Sequence, residues 1–138
     1  MSVSEPIRKQ FVEYIMLQVF DDQYIDRQEE KKILEEGIKK GIGVDEGLAI
    51  IRQVASDKNL VVERDVEDRA LEVLEQFAVN DGVIDKKEFE KTVTLFKSAS
   101  HGKVSEAKIK KRLKEMILKQ GWKVKEGGLF GSKWFSEI

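Results

Sequence analysis

The sequence predicts an all-α protein: a compact bundle of about six short helices, built from a duplicated helix-loop-helix-helix unit and followed by an irregular, aromatic-rich C-terminal tail. Three observations predict it. Apolar residues recur at helical spacing in six stretches. Each stretch is bounded by a capping residue or a glycine. An acidic pattern, D-x-x-I-D-x-x-E, occurs at Asp22–Glu29 and again at Asp81–Glu88.

The first helix opens at Pro6, which is tolerated in a first turn because its missing N–H has no partner there. Ser4 is a suitable N-cap. Ile7, Phe11, Tyr14, Ile15 and Val19 carry the apolar face to about Phe20. Asp26 and Glu29 form a capping box for the second helix, in which the Asp takes an orphan backbone N–H and the Glu reaches back to the cap. Ile33, Leu34 and Ile38 supply its stripe, and Gly41 and Gly43 end it. A third helix starts at Asp45, with Leu48, Ile51, Val54 and Ala55 on one face, and closes at Asp57-Lys58-Asn59. The fourth begins near Asp65 and uses Val66, Ala70, Val73, Leu74, Phe77 and Ala78. Asp85 and Glu88 cap the fifth, with Phe89, Val93 and Phe96 inward; Ser105 and Glu106 open the sixth, with Ile109, Leu113, Met116 and Ile117 inward, and Gly121 ends it. The expected organisation is a single helical domain over residues 1–120, with repeat copies at about 5–57 and 64–120, and a tail over 121–138. Trp122 to Lys125 reads as a short strand.

Composition narrows the chemistry. The chain has no cysteine, which removes disulfides, thiolate metal sites and cysteine nucleophiles. The apolar segment around Phe11 to Phe20 is interrupted by Glu13 and Gln18, so it does not read as a signal peptide. No apolar run approaches the ~20 residues needed to cross a bilayer. A cytoplasmic protein is expected. The net charge of −1 conceals an asymmetry. Residues 1–102 hold 15 Lys and Arg against 22 Asp and Glu, whereas residues 103–138 hold 10 against 4. An acidic body with a basic end either folds the end back on the body or presents it to an anionic partner.

The repeat aligns residues 7–38 with 66–97. Ile7, Tyr14 and Ile15 fall on Val66, Val73 and Leu74, and Ile25 falls on Ile84. A one-residue shift then brings Val44-Asp45-Glu46 onto Val104-Ser105-Glu106. Two copies of a unit that cannot bury its face alone imply a pseudo-symmetric arrangement.

These two acidic motifs, each between apolar helices, resemble the TerB-like family of tellurite-resistance-associated proteins. The stretch Phe77–Val93, FAVNDGVIDKKEFEKTV, carries the resemblance furthest, and VDEGLAII after the second helix is similar as well. The resemblance covers about residues 7–97. The first copy departs from the pattern with Gln23 where the second has Gly82, and the last 35 or so residues do not match. The resemblance implies an all-helical fold, no catalysis, a bacterial stress- or metal-associated role and an acidic metal-binding surface.

The acidic loops also look like the second half of an EF-hand: Asp81, Gly82, Ile84, Asp85 and Glu88 would fill positions 5, 6, 8, 9 and 12. Positions 1 and 3 would be Phe77 and Val79, and in the first copy Gln18 and Phe20, so one loop does not supply 6–8 oxygen ligands and a conventional calcium loop is not expected. One metal arrangement remains, in which Asp22, Asp26 and Glu29 join Asp81, Asp85 and Glu88 around a shared divalent cation. The competing reading makes the same carboxylates helix caps and turn formers.

The remaining chemistry is sparse. His101, the single histidine, sits in a Ser/Gly break and reads as a loop residue. No nucleophile motif or phosphate loop is present, so no enzyme is expected. The sixth helix pairs its apolar stripe with Lys108, Lys110, Lys111, Arg112 and Lys114, which fits either a solvated face or a surface for nucleic acid or anionic membrane. Trp122, Phe130, Trp134 and Phe135 form an aromatic group among four glycines, either docked on the body or offered to a protein partner. The function expected is that of a non-enzymatic binding or scaffold module, with a divalent cation as the candidate cofactor. The alternatives are a polyanion adaptor and a protein-interaction subunit with no small ligand.

Overall fold

The computed structural model describes residues 3–19, 21–126 and 133–138. They divide into two compact units, residues 1–64 and 65–138. The first contains α1 (Glu5–Gln18), β1 (Tyr24–Ile25), α2 (Arg27–Lys39), α3 (Val44–Lys58) and β2 (Val61–Val62). The helix α4 (Glu63–Ala78) begins in its last two residues and runs into the second unit. There follow β3 (Val83–Ile84), α5 (Lys86–Ala99), α6 (Glu106–Gln120) and β4 (Lys123–Val124). The protein is all-α, with six helices among the described residues and only two-residue strands between them.

Local sequence explains where the helices begin and end. Asp26 and Asp85 are complete capping boxes. Ser105 accepts the Lys108 N–H. Ser4 occupies the N-cap of α1 without a side-chain bond, so Pro6 alone marks that start. Asn59 and Gly121 close α3 and α6 in the left-handed conformation, which satisfies carbonyls left over at a helix C-terminus.

In the first unit Phe11, Ile15, Val19, Ile25, Ile33, Ile42, Ile50, Ile51, Val54, Ala55 and Val62 form one hydrophobic cluster. Two glycines set the helix spacing. A Cβ on Gly37 would lie 3.1 Å from the Phe11 ring, and one on Gly47 would lie 2.9 Å from Leu34. Their hydrogen side chains let α2 press on α1, and α3 on α2. The inward row of α2 is therefore Glu30, Ile33 and Gly37, and Ile38, expected inside, is 56% exposed. Leu48 is only half-buried, and Gly47 and Ile50 take its place beside Ile51, Val54 and Ala55.

In the second unit the buried apolar residues include Val66, Ala70, Leu74, Ile84, Phe89, Val93, Phe96, Ile109, Leu113, Ile117 and Phe135. Phe77, Val73 and Met116 sit at the edge of that set, half-buried.

The strand pairs were not expected as pairs. β1 lies parallel to β2, with Tyr24 opposite Val61 and Ile25 opposite Val62. β3 lies parallel to β4, with Val83 opposite Lys123 and Ile84 opposite Val124. Each pairing stitches the acidic loop of a unit to the segment leaving its third helix. The second half of the repeat also has a different register from the one expected. α3 starts after Gly43 and α6 after Ser105, so Gly47, Ile51 and Ala55 correspond to Ile109, Leu113 and Ile117. The connection from α5 to α6 is longer than that from α2 to α3, and Val44 does not match Val104.

Candidate functional site

The two acidic loops have the same internal wiring. In the first, Asp22 Oδ1 accepts the Tyr24 N–H at 3.2 Å, and Asp26 Oδ1 accepts the Glu29 N–H at 2.7 Å. Glu29 Oε1 in turn accepts the Asp26 N–H at 3.3 Å. In the second, Asp81 Oδ1 accepts from Val83 at 3.0 Å, Asp85 Oδ1 accepts from Glu88 at 2.7 Å, and Glu88 Oε1 accepts from Asp85 at 3.0 Å. The residue between, Gln23 or Gly82, is left-handed in both loops, at φ 56° and 70°. Its carbonyl accepts the first N–H of the exit strand, from Val61 at 3.0 Å or from Lys123 at 2.8 Å. All six carboxylates named from the sequence thus have a backbone task or sit within such a turn. Among the described residues no group of three or more acidic or histidine side chains converges to hold a metal ion.

Burial also acts on one carboxyl of the first loop. Glu29 is pushed up to about 7, by burial first and then by the neighbouring charges of Asp26 and Asp22. Glu29 therefore holds its proton to higher pH than an ordinary glutamate, and a cation binding there would compete with that proton.

The basic face of α6 is mostly engaged. Arg112 is paired with Glu67, a residue of α4 that is 4% exposed, and with Glu115 at 3.2 Å. Lys110 meets Glu106 at 3.5 Å. Lys114 donates to the carbonyls of Phe135 at 3.0 Å and Ile138 at 3.3 Å, and its ammonium stands 5.0 Å from the Phe135 ring centroid. Lys108 and Lys111 line an open recess of about 870 Å³ together with Lys86, Lys110, Glu90, Glu106, Glu137 and Trp134.

The aromatic tail folds back in part. Trp134 and Phe135 stand against Phe89 with ring centroids 5.0 and 6.2 Å away, at tilted and edge-on angles. Offset and edge-on arrangements are the favoured ones for aromatic pairs. Trp134 Nε1 donates to the Lys125 carbonyl at 3.1 Å. Trp122 is half-buried and leads into β4. Phe130 lies outside the described residues. Two anchors of this region were absent from the sequence reading: Glu126, which holds the tail, and Glu67, which holds Arg112. Neither has a motif, because each acts across a distance of chain that only the fold closes. His101 is left-handed at φ 54° in the α5–α6 connection, as a loop residue.

Comparison with protein families, with curated proteins and with solved structures found no match.

Proposed function

We propose that this chain is a non-enzymatic, TerB-like binding module whose partner is a protein segment of mixed charge. The recess beside α6 carries the reading. Four lysines, Lys86, Lys108, Lys110 and Lys111, line it together with the carboxylates of Glu90, Glu106 and Glu137 and the side chain of Trp134. A uniform polyanion such as nucleic acid or an anionic membrane would meet those carboxylates. It would also find Arg112 and Lys114 already engaged. A peptide bearing both signs and an apolar residue satisfies the charges and covers the indole. Aromatic anchors surrounded by polar groups are the usual form of an interaction hot spot.

The test is selection of a random peptide library on the full chain. The expected outcome is enrichment of mixed-charge peptides containing an aromatic or aliphatic residue, with binding reduced tenfold or more by Lys108→Glu with Lys111→Glu. Tight binding to single-stranded DNA or heparin, falling steeply between 50 and 200 mM salt, would replace this reading with the polyanion one.

A second reading is favoured by one observation. Glu29 is raised by burial first and then by the charges of Asp26 and Asp22, and a divalent cation would relieve the latter. It is in keeping with the stress- or metal-associated role that the TerB-like resemblance implies. The test is thermal unfolding with millimolar divalent cations: a rise of several degrees that is lost in Asp22→Asn supports it, and no shift with any cation rejects it.

A further inference from the structure

The two copies of the repeat differ in what covers one position on the second helix of each unit. In the first copy that position is Glu30, whose side chain is 3% exposed and is held by Arg64 at 2.6 Å. Arg64 stands two residues beyond β2, in the first turn of α4. In the second copy the same position is Phe89, and two residues beyond β4 stands Glu126. No helix follows it among the described residues. Phe89 is instead covered by Trp134 and Phe135 of the C-terminal segment 133–138. The first unit completes its helix-strand-helix-helix-strand course without any such segment.

The manner of attachment is that of a ligand. Glu126 collects the backbone N–H groups of Phe135 and Ser136, each at 3.0 Å, and the Ser136 hydroxyl at 2.7 Å. Lys114 takes the two carbonyls at the other side of the same turn, those of Phe135 and Ile138. A carboxylate on the donors and an ammonium on the acceptors read the main chain of the segment. Side-chain recognition is confined to the two rings and the hydroxyl. Main-chain hydrogen bonds for affinity and a few pockets for specificity is the division of labour in peptide-binding sites. Only Phe135 is buried, at 7% exposed; Lys133, Ser136 and Glu137 lie exposed. Segments with one buried anchor belong to the low end of local stability.

We infer that the surface formed by Phe89, Lys114 and Glu126 is a peptide-binding groove, and that segment 133–138 is its resident, displaceable occupant. The external ligand is a partner-protein segment with two adjacent aromatic residues followed by serine or threonine. Release of the tail also withdraws Trp134 and Glu137 from the lysine-lined recess, so the recess and the open groove are alternative binding states. The inference rests on the second unit being a binding module. The groove and the recess are scored by different probes, so one can fail without the other.

The probe is a fluorescein-labelled peptide of sequence KWFSEI, titrated by anisotropy into full-length chains whose folding is checked by circular dichroism. Trp134→Ala with Phe135→Ala removes the two rings that cover Phe89, so a probe that carries both rings outcompetes the tail, and this emptied variant binds the probe. The wild-type chain binds it about tenfold more weakly, because a tethered competitor acts at an effective concentration in the millimolar range. Adding Glu126→Gln to the emptied chain reduces binding tenfold or more. No binding to a folded, emptied chain would overturn the inference. So would a concentration-dependent wild-type dimer abolished by the same two substitutions, since the occupant would then be a second copy. Hydrogen exchange on the wild-type chain serves if the emptied variant does not fold. Phe135 and Ser136 amides exchanging a hundredfold or more faster than Leu113 support displacement, and exchange at the Leu113 rate would make the segment a fixed part of the core.

Discussion

Replacing Asp85 separates a cap from a cation ligand. In Asp85→Ala the Glu88 N–H loses its 2.7 Å acceptor, while Glu88 Oε1 still accepts the Asp85 N–H at 3.0 Å. Removing an N-cap acceptor costs about 1 kcal/mol, with a range of roughly 0.5–2. Loss of a negative charge at the N-terminus of α5 adds a few tenths of a kcal/mol. A total near 1.5 kcal/mol is expected. With an unfolding entropy of about 0.3 kcal/mol/K for a chain of this size, the melting temperature falls by about 5 °C, or about twice that if the second unit melts alone. Asp85→Asn keeps a side-chain acceptor of equal rank at an N-cap, so its loss is about 0.5 kcal/mol. The assay is thermal unfolding followed by circular dichroism, in EDTA and then in millimolar magnesium, calcium, manganese or zinc. If the loop is a cap, the Ala and Asn variants keep their order and their spacing in every buffer. A cation that raises the wild-type melting temperature by several degrees, with Asn as damaging as Ala, would refute the capping argument and assign these carboxylates to a metal.

Two further outcomes follow from the acidic loops. Gly82→Gln places a side chain at φ 70° and should cost about 1 kcal/mol; Gln23→Gly, at φ 56°, should be neutral or slightly stabilising, as measured by urea unfolding. Glu29 holds its proton up to about pH 7 in the folded chain, against 4.5 for an ordinary glutamate. The folded state binds more protons in that window, so stability falls as pH rises through it and the penalty is complete above it. Glu29→Gln, which keeps a capping-box acceptor, should therefore stabilise the chain at pH 8 by roughly 1 kcal/mol, discounted for the solvent that screens the site, and hardly at all at pH 4.

The helices were legible because their signals are local. Asp26, Asp85 and Ser105 each mark a start within one turn, and Gly121 and Asn59 mark ends, so the limits of α2, α5 and α6 fall close to where caps and glycines place them. The repeat was legible over the acidic loops for the same reason. Its second half was misaligned because Val-Asp-Glu and Val-Ser-Glu match in type, whereas the true register depends on which residues face inward, and Gly47 opposite Ile109 has no resemblance to offer. The parallel strand pairs were invisible as pairs. A two-residue strand has no period, and Tyr24 and Val61 meet through backbone groups that every sequence carries. At the site, the caps could be read and their electrostatics could not. Glu29 is pushed upward chiefly by burial, which depends on packing and leaves no mark in its motif. Glu67 and Glu126 lie in stretches with no pattern, and their tasks follow from distant partners.

The exit strands show how little of a repeat has to be fixed for two copies to diverge. Val62 passes directly into the next helix, with no linker, whereas two residues past Val124 stands Glu126, at the place Arg64 takes in the first copy. The same two-residue strand is thus followed by two different devices: an arginine that reaches back to Glu30, and a carboxylate that holds the 133–138 turn over Phe89. The strand sets where the chain leaves a unit and leaves open what the chain does next.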